Sequence, residues 1–158
     1  MKAKLVALLP ALVLSGCVTL HAEGHLYPVQ GPLTADAPIP VYKLTLSDRT
    51  LVGANVSFRS GDGISATVGD GEICQGTLQE LSSDDPTVRS MEADWDRVFG
   101  QGFFVANVLG IYAERSTLIG SNGTQITLQM YNKTPISGVL TIVGVARDNR
   151  GGLYKITF

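Results

Sequence analysis

The sequence predicts a mainly β protein, a single small antiparallel β-barrel or sandwich with one short amphipathic helix. Short alternating or continuous apolar segments recur along most of the chain, and turns rich in Gly, Asn and Asp separate them. One segment has the apolar spacing of a helix instead. Regular short strands with tight turns are typical of a meander that closes into a small barrel or sandwich.

The first strands are predicted from Val41 onward. Two of these strands, Ile64–Val68 and Glu72–Leu81, flank Gly69-Asp70-Gly71, a turn typical of β-hairpins. In the strand after this turn, Cys74, Gly76 and Leu78 share one face. We expect Cys74 to be buried because cysteine is among the most buried residue types. The predicted strands of this half are Val41–Ser47, Asn55–Arg59, Ile64–Val68 and Glu72–Leu81.

One amphipathic helix is predicted after these strands. Asp85 is a suitable N-cap, Pro86 fits the first helical position, and Gly100 can end the helix. At about 100° per residue, its apolar residues fall within an arc of roughly 100°, which predicts a face that packs on the sheet. These residues are Val88, Met91, Trp95, Val98 and Phe99.

The chain is predicted to return to strands after Gly102. Turns at 121–123 and 148–152 each join two of them. Tyr154, Ile156 and Phe158 alternate in the last strand, and we expect this strand to face the core. The predicted strands are Phe103–Ala113, Ser116–Ile119, Thr124–Tyr131, Ser137–Ala146 and Leu153–Phe158.

The first residues have the pattern of a secretory signal. Met1-Lys2-Ala3-Lys4 is basic, and an apolar stretch then runs to Leu14. This stretch is shorter than the roughly 20 residues of a membrane-spanning helix. Leu14-Ser15-Gly16-Cys17 resembles the lipobox of bacterial lipoprotein precursors. The resemblance implies that residues 1–16 are a cleaved signal peptide and that Cys17 is the lipidation site.

The same resemblance implies a location. Val18 follows the cysteine, where an aspartate would retain many such proteins in the inner membrane, so we expect an outer-membrane, periplasm-facing anchor. Residues 17–40 are proline-rich and are predicted to be the lipidated cysteine and its tether, ahead of a β-rich domain over 41–158. Alternatively, the segment His25–Leu33 of the tether pairs with the sheet as an edge strand, a position where proline is tolerated.

Two further segments carry a family resemblance. Gly71-Glu72-Ile73-Cys74-Gln75-Gly76 and the stretch Gly144–Phe158 resemble segments of small uncharacterised proteobacterial outer-membrane lipoproteins. The matching positions are mostly turn glycines and core residues. The resemblance therefore implies no chemistry and no cofactor.

The net charge and the histidine content argue against several classes of function. Removal of residues 1–16 takes away two lysines and no acidic residue, so the net charge changes from −2 to 10 − 14 = −4, which argues against nucleic acid or anionic lipid headgroups as partners. The only histidines are His21 and His25, both in the predicted tether, so we expect neither a Ser-His-Asp hydrolase nor a histidine-bound zinc site. No cofactor and no metal are expected.

Two groups of side chains remain as candidate sites. Glu92 and Asp96 lie close together on the predicted helix beside Arg89, and with Glu114 they are the best candidates for a polar site, although a solvated helix face explains the first two as well. The second group would line an apolar pocket between sheet and helix, or form ordinary core. It consists of Trp95, Phe99, Phe103 and Phe104.

These observations favour a lipid-anchored periplasmic binding or structural module at the outer membrane, without catalytic activity. We expect its partners to be the membrane, through the covalent lipid, and an envelope protein or cell-wall material. A carrier of a small apolar ligand in the aromatic pocket is the alternative. A carboxylate-based envelope hydrolase is the third hypothesis.

Overall fold

The computed structural model of the protein describes residues 20–30, 42–49, 60–68, 71–82, 85–111, 113–133 and 141–158. Within these ranges the chain forms nine strands, one 3-10 helix over Pro86–Met91 and two α-helices, α1 (Glu92–Phe99) and α2 (Phe103–Asn107). The strands are β1 Leu20–Gln30, β2 Tyr42–Arg49, β3 Gly63–Thr67, β4 Ile73–Thr77, β5 Gln79–Leu81, β6 Ala113–Gly120, β7 Gln125–Lys133, β8 Thr141–Asp148 and β9 Leu153–Thr157.

All nine strands belong to one curled antiparallel sheet that forms a half-barrel. Their order is β4-β3-β2-β1-β9-β8-β7-β6-β5, and β4 also pairs with β6 through Cys74 opposite Gly120 and Gln75 opposite Ile119. This short pairing joins the two sides of the sheet. The predicted mainly β fold, antiparallel and barrel-like with a short helix, is confirmed.

The concave side of the sheet holds the larger apolar core. The last strand contributes Tyr154 and Ile156, both buried, with Phe158 packed against the same cluster, so its predicted core-facing pattern is confirmed. The alternation of each strand selects the inward residues, because successive side chains point to opposite faces. The core contains Leu26, Ile64, Ala66, Val68, Cys74, Leu78, Leu118, Ile126, Leu128, Met130, Ile142, Ala146, Tyr154 and Ile156.

A second apolar cluster covers part of the convex side. Here the helical segment packs on the outward residues of β7 and β8, such as Tyr131 and Val145. Val88, Met91 and Trp95 of the predicted apolar face are buried in this cluster, and Val98 and Phe99 are partly buried against it. The amphipathic pattern therefore identified the correct face.

The helical segment begins and ends where the sequence predicts. Asp85 Oδ1 accepts a hydrogen bond from the Thr87 amide at 2.7 Å, which satisfies a donor of the first turn. Pro86 opens this turn, which is a 3-10 helix up to Met91. Gly100 ends α1 with φ of 110°, a conformation that favours glycine.

The strand predicted over Phe103–Ala113 is wrong in its first part. Phe103–Asn107 is α2, and β6 begins only at Ala113. The carboxylate of Asp96 accepts hydrogen bonds from the amides of Gly102 and Phe104, so a side chain of α1 caps α2. A tertiary contact thus overrides the apolar pattern.

Part of the segment predicted as a tether is a strand. β1 lies between β2 and β9 in the sheet. Its register with β2 ends at Leu26, and Pro28 pairs with Tyr154 of β9, so Pro28 lies where pairing is described on one side only. The remaining predicted tether residues, like the predicted strand Asn55–Arg59, lie outside the described residues.

Candidate functional site

Trp95 is the centre of the helix-covered cluster. It is fully buried, and its Nε1 donates a hydrogen bond of 2.8 Å to Oε1 of Gln129 on β7. The Gln129 side chain is also buried, and its Nε2 donates to the carbonyl oxygen of Val88 at 3.3 Å. This amide therefore joins the sheet to both halves of the helical segment.

The four aromatic residues of the predicted apolar pocket divide into two pairs. Trp95 and Phe104 are fully buried, whereas Phe99 and Phe103 are partly buried. Ring centroids are 5.4 Å apart between Trp95 and Phe99, 5.9 Å between Trp95 and Phe103, and 4.6 Å between Phe99 and Phe103. The structure thus brings these three rings into one stack. The outer part of the stack reaches solvent at Phe99 and Phe103.

Tyr131 extends this cluster and was not identified from the sequence. Its ring centroid is 5.6 Å from that of Trp95, and burial raises the pKa of its hydroxyl. Among the described residues, none forms a hydrogen bond with this buried hydroxyl. A buried polar group of this kind is uncommon. Alternation along β7 would have placed Tyr131 and Gln129 on the same outward face.

The carboxylates predicted as a polar site have separate structural partners. Asp96 accepts from the amides of Gly102 at 2.9 Å and Phe104 at 3.0 Å, and the hydrogen bonds from Phe104 and Gly102 lower its pKa. Glu92 forms an ion pair of 2.7 Å with Arg89. Both carboxylates are therefore engaged in holding the helical segment together.

Glu114 lies on a strand rather than on the helix. It is buried on β6, in register with Met130 of β7 and Glu80 of β5. Met130 belongs to the concave core, so this register position puts Glu114 on the concave side of the sheet, whereas Glu92 and Asp96 belong to the helical layer on the convex side.

The acidic residue between them, Asp94, is partly buried. Burial raises the pKa of its carboxyl group, and the nearby Arg147, whose Nη1 is 3.5 Å from Asp94 Oδ2, partly offsets that effect. The position of Asp94 away from Glu92 and Asp96 agrees with the helical spacing in the sequence.

A buried carboxylate outside the predicted sites lies at the turn end of the sheet. Glu72 accepts hydrogen bonds from the Asn122 amide at 2.5 Å and from the Thr124 hydroxyl at 2.6 Å. Arg150 donates to the same hydroxyl at 3.2 Å. Glu72 shares the inward face of Cys74, which the strand pattern implies, but its partners Asn122 and Thr124 come from one turn that is distant in the sequence.

Asp148 organises the neighbouring turn. Its Oδ1 accepts from the amides of Arg150 and Gly152, and its Oδ2 accepts from the hydroxyl of Tyr154 at 2.6 Å. Asn149 connects this turn to the preceding hairpin, because its side chain donates to the Gly123 carbonyl and accepts from the Gln125 amide. These two turns and Glu72 form one hydrogen-bonded end of the sheet.

Several large apolar side chains are exposed instead of buried. Tyr27 and Val29 are on β1, whereas Ile73 and Ile119 are on β4 and β6. Exposed apolar residues that cluster on one face mark interaction surfaces more often than scattered ones do. The remaining exposed examples among the described residues are Val105 and Ile111.

The predicted lipidation site, Cys17, lies outside the described residues, which begin at Leu20. Cys74 is fully buried, as predicted. The described residues contain no cluster of three His, Cys, Asp or Glu side chains arranged to hold a metal ion. Their helices are too short or too polar to cross a membrane.

Comparison of the chain with protein-family models, with curated proteins and with solved structures gives no match.

Proposed function

We propose that the protein is a lipid-anchored, non-catalytic binding or structural module on the periplasmic side of the outer membrane. The observation that carries this proposal is Leu14-Ser15-Gly16-Cys17 at the end of a basic and apolar leader. The first described strand begins at Leu20, so the acylated cysteine would be joined closely to the sheet. Two or more acyl chains suffice for stable anchoring.

The contacts of the candidate carboxylates support a non-catalytic role. A general acid or base needs a carboxyl group that can reach a substrate. Both oxygens of Asp96 accept amide hydrogen bonds, and Glu92 pairs with Arg89. Glu92 and Asp96 therefore do not favour a hydrolase.

An envelope protein or cell-wall material is the partner that we propose, and nucleic acid is not. The outward faces of β4 and β6 carry the exposed side chains of Ile73 and Ile119, near the register pair Gln75 and Ile119. These two isoleucines offer a small apolar contact surface among uncharged neighbours. A lipid anchor would raise the local concentration of this surface at the membrane.

Substitution of the acylated cysteine tests the anchor. We expect the wild-type chain to incorporate labelled palmitate and to fractionate with outer membranes, and Cys17→Ser to do neither. Cys74→Ser serves as the matched control, because it removes the other cysteine and should leave labelling unchanged. Equal palmitate incorporation in wild type and Cys17→Ser would refute the proposal.

Crosslinking in native membranes tests the partner. A photo-crosslinking residue at Ile119 should yield a discrete adduct with an envelope protein or with cell-wall fragments, and the adduct should be lost in the Cys17→Ser background. The same residue placed at the exposed Val105 of α2 serves as the control. Adducts with no common partner at either position would argue against a binding module.

A second function, carriage of a small apolar ligand, is favoured by one observation. The buried Tyr131 hydroxyl has no hydrogen-bond partner among the described residues, and it lies beside a ring stack that is partly open at Phe99 and Phe103. Because Trp95 is the only tryptophan, its emission reports ligand entry. Saturable quenching of this emission by an apolar ligand, weaker in Tyr131→Phe, would support a carrier, and unchanged emission would exclude it.

A further inference from the structure

The convex side of β1 presents a row of exposed side chains. Leu26 points into the core, so the alternation of the strand directs His25 and Tyr27 outward. Val29 lies at a shift in the β1–β9 register between Pro28 and Gln30, and its side chain is exposed as well. Tyr27 is 53% exposed and Val29 is 46% exposed. The rings of His25 and Tyr27 lie 6.1 Å apart. We call these three residues the β1 outer row.

A lysine borders this row. Lys155 of β9 is in register with Tyr27, and its Nζ lies 5.3 Å from the ring centroid of Phe99. Tyrosine is enriched where a membrane meets water, and lysine places its aliphatic stem along apolar surface while the ammonium group remains hydrated. The composition of the row and its border therefore suits the headgroup layer of a bilayer.

The short segment between Cys17 and β1 would keep the β1 outer row close to a bilayer. Cys17 precedes Leu20, the first residue of β1, by three residues. A chain spans at most about 3.6 Å per residue, so these two residues are no more than roughly 11 Å apart. A lipid on Cys17 thus holds the strand that carries the β1 outer row within a short distance of the membrane surface.

The other exposed pair lies on the far side of the sheet. From β1 the strand order reaches β6 through β9, β8 and β7 in one direction, and through β2, β3 and β4 in the other. Ile73 and Ile119 are therefore far from the anchored strand. They are 54% and 51% exposed, close to the values for Tyr27 and Val29.

We propose that the β1 outer row rests on the headgroup layer of the membrane, so that the sheet lies on its β1 side with β6 directed away. This inference rests on the proposed lipid anchor. Cleavage before Cys17 removes Lys2 and Lys4, so the lipidated chain is more acidic than the net charge of −2 of the whole sequence. It has no general attraction to anionic lipids, so the contact depends on Tyr27 and Val29 being held at the surface by the anchor.

Quenching of site-specific fluorophores tests the orientation. Full-length Tyr27→Cys and Val29→Cys variants, purified from membranes, are labelled with bimane and reconstituted into phosphatidylcholine vesicles that contain a headgroup nitroxide. Ile73→Cys and Ile119→Cys are the matched controls, because their exposure is nearly equal. The unsubstituted chain gives the labelling background, since Cys74 is buried. Far-UV circular dichroism and mass analysis of Cys17 are recorded on each sample.

We expect the fluorophores at positions 27 and 29 to lose most of their emission and those at 73 and 119 to lose little. If Cys17 is acylated but all four positions are quenched equally, the orientation is wrong while the anchor stands. A second copy of the chain could instead cover the β1 outer row. In that case the nitroxide would not quench the fluorophores at positions 27 and 29, and their emission would change with protein concentration. This result would also refute the membrane contact. Absence of an acyl group on Cys17 would overturn both the proposed function and this inference. The two positions on each side make the result independent of any one variant that fails to fold.

Discussion

The Nε1 of Trp95 donates a hydrogen bond to Oε1 of Gln129 across the boundary between helix and sheet, with both side chains buried. This bond fixes the orientation of the helical layer, because an indole N–H has only one donor direction. The same amide holds the Val88 carbonyl, which belongs to the preceding 3-10 turn. One glutamine thus joins three segments of the chain.

Replacement of this glutamine should destabilise the fold. In Gln129→Leu the Trp95 N–H loses its partner while it stays buried, which costs about 1–3 kcal/mol in the free energy of unfolding. Urea titration followed by Trp95 emission measures this change. Gln125→Ala, on an exposed position of the same strand, should shift the midpoint little. Equal midpoints for Gln129→Leu and wild type would show that the bond is dispensable.

The Asp96 cap makes the stability depend on acid. Hydrogen bonds from the amides of Phe104 and Gly102 hold the pKa of Asp96 below its ordinary value of 3.8. A group with a lowered pKa in the folded state contributes stability above its unfolded pKa, and this contribution is lost as the pH falls through the folded pKa. Asp96→Asn should therefore differ most from wild type near neutral pH.

Denaturant titrations between neutral pH and pH 2 measure this difference. The stability advantage of wild type over Asp96→Asn should shrink as the pH falls below about 4. Glu92→Gln, which removes an exposed ion pair, should change stability by less than about 1 kcal/mol at neutral pH. A constant difference between wild type and Asp96→Asn across the whole range would contradict the role of the ionised cap.

Gly120 allows the close approach of Glu72. A Cβ atom at this glycine would overlap the Glu72 carboxyl group and lie 2.8 Å from Cys74 Sγ. Gly120→Ala should therefore cost about 1–3 kcal/mol, as overpacking of a core does. If the carboxyl group is the main obstacle, the same substitution should cost less in a Glu72→Ala background. A double-mutant cycle measures this coupling, and purely additive effects would disprove it.

The two cysteines make a simple prediction about thiol reactivity. Cys74 is fully buried, so alkylation of the folded chain should be slow and alkylation in guanidinium should be fast. If Cys17 is acylated as proposed, the chain should show no reactive thiol when folded and one when unfolded. The Cys17→Ser variant should give the same result, whereas a fast-reacting thiol in the folded variant would show that Cys74 is accessible.

Local sequence signals predicted most strands and the helix boundaries. The turn glycines Gly123 and Gly151 have φ of 86° and 89°, conformations that favour glycine. The hairpins that contain these turns could therefore be predicted from the sequence. The Asp85-Pro86 pair identified the helix start for an equally local reason. In these places one or two residues determine the backbone.

The errors arise where distant contacts decide. Residues Phe103–Asn107 are apolar enough for a strand, yet Asp96 caps them as a helix. β1 contains Pro28 and lies within the predicted tether, but pairing with β9 holds it in the sheet. Glu72 also belongs to this class, because its partners Asn122 and Thr124 reach it only through the fold. No local pattern contains this information.

The pairing of β1 with β9 has a consequence for biogenesis. The first described strand obtains its second neighbour only from the last, with His25 opposite Thr157. If the chain is exported and acylated at Cys17 as proposed, one edge of β1 would stay unpaired at the membrane until the carboxyl-terminal strand has been translocated. Such an edge is a target for proteases and for pairing with other chains. Closure also depends on contacts between residues far apart in sequence, which slows folding. Truncation near the carboxyl terminus would leave this edge permanently open.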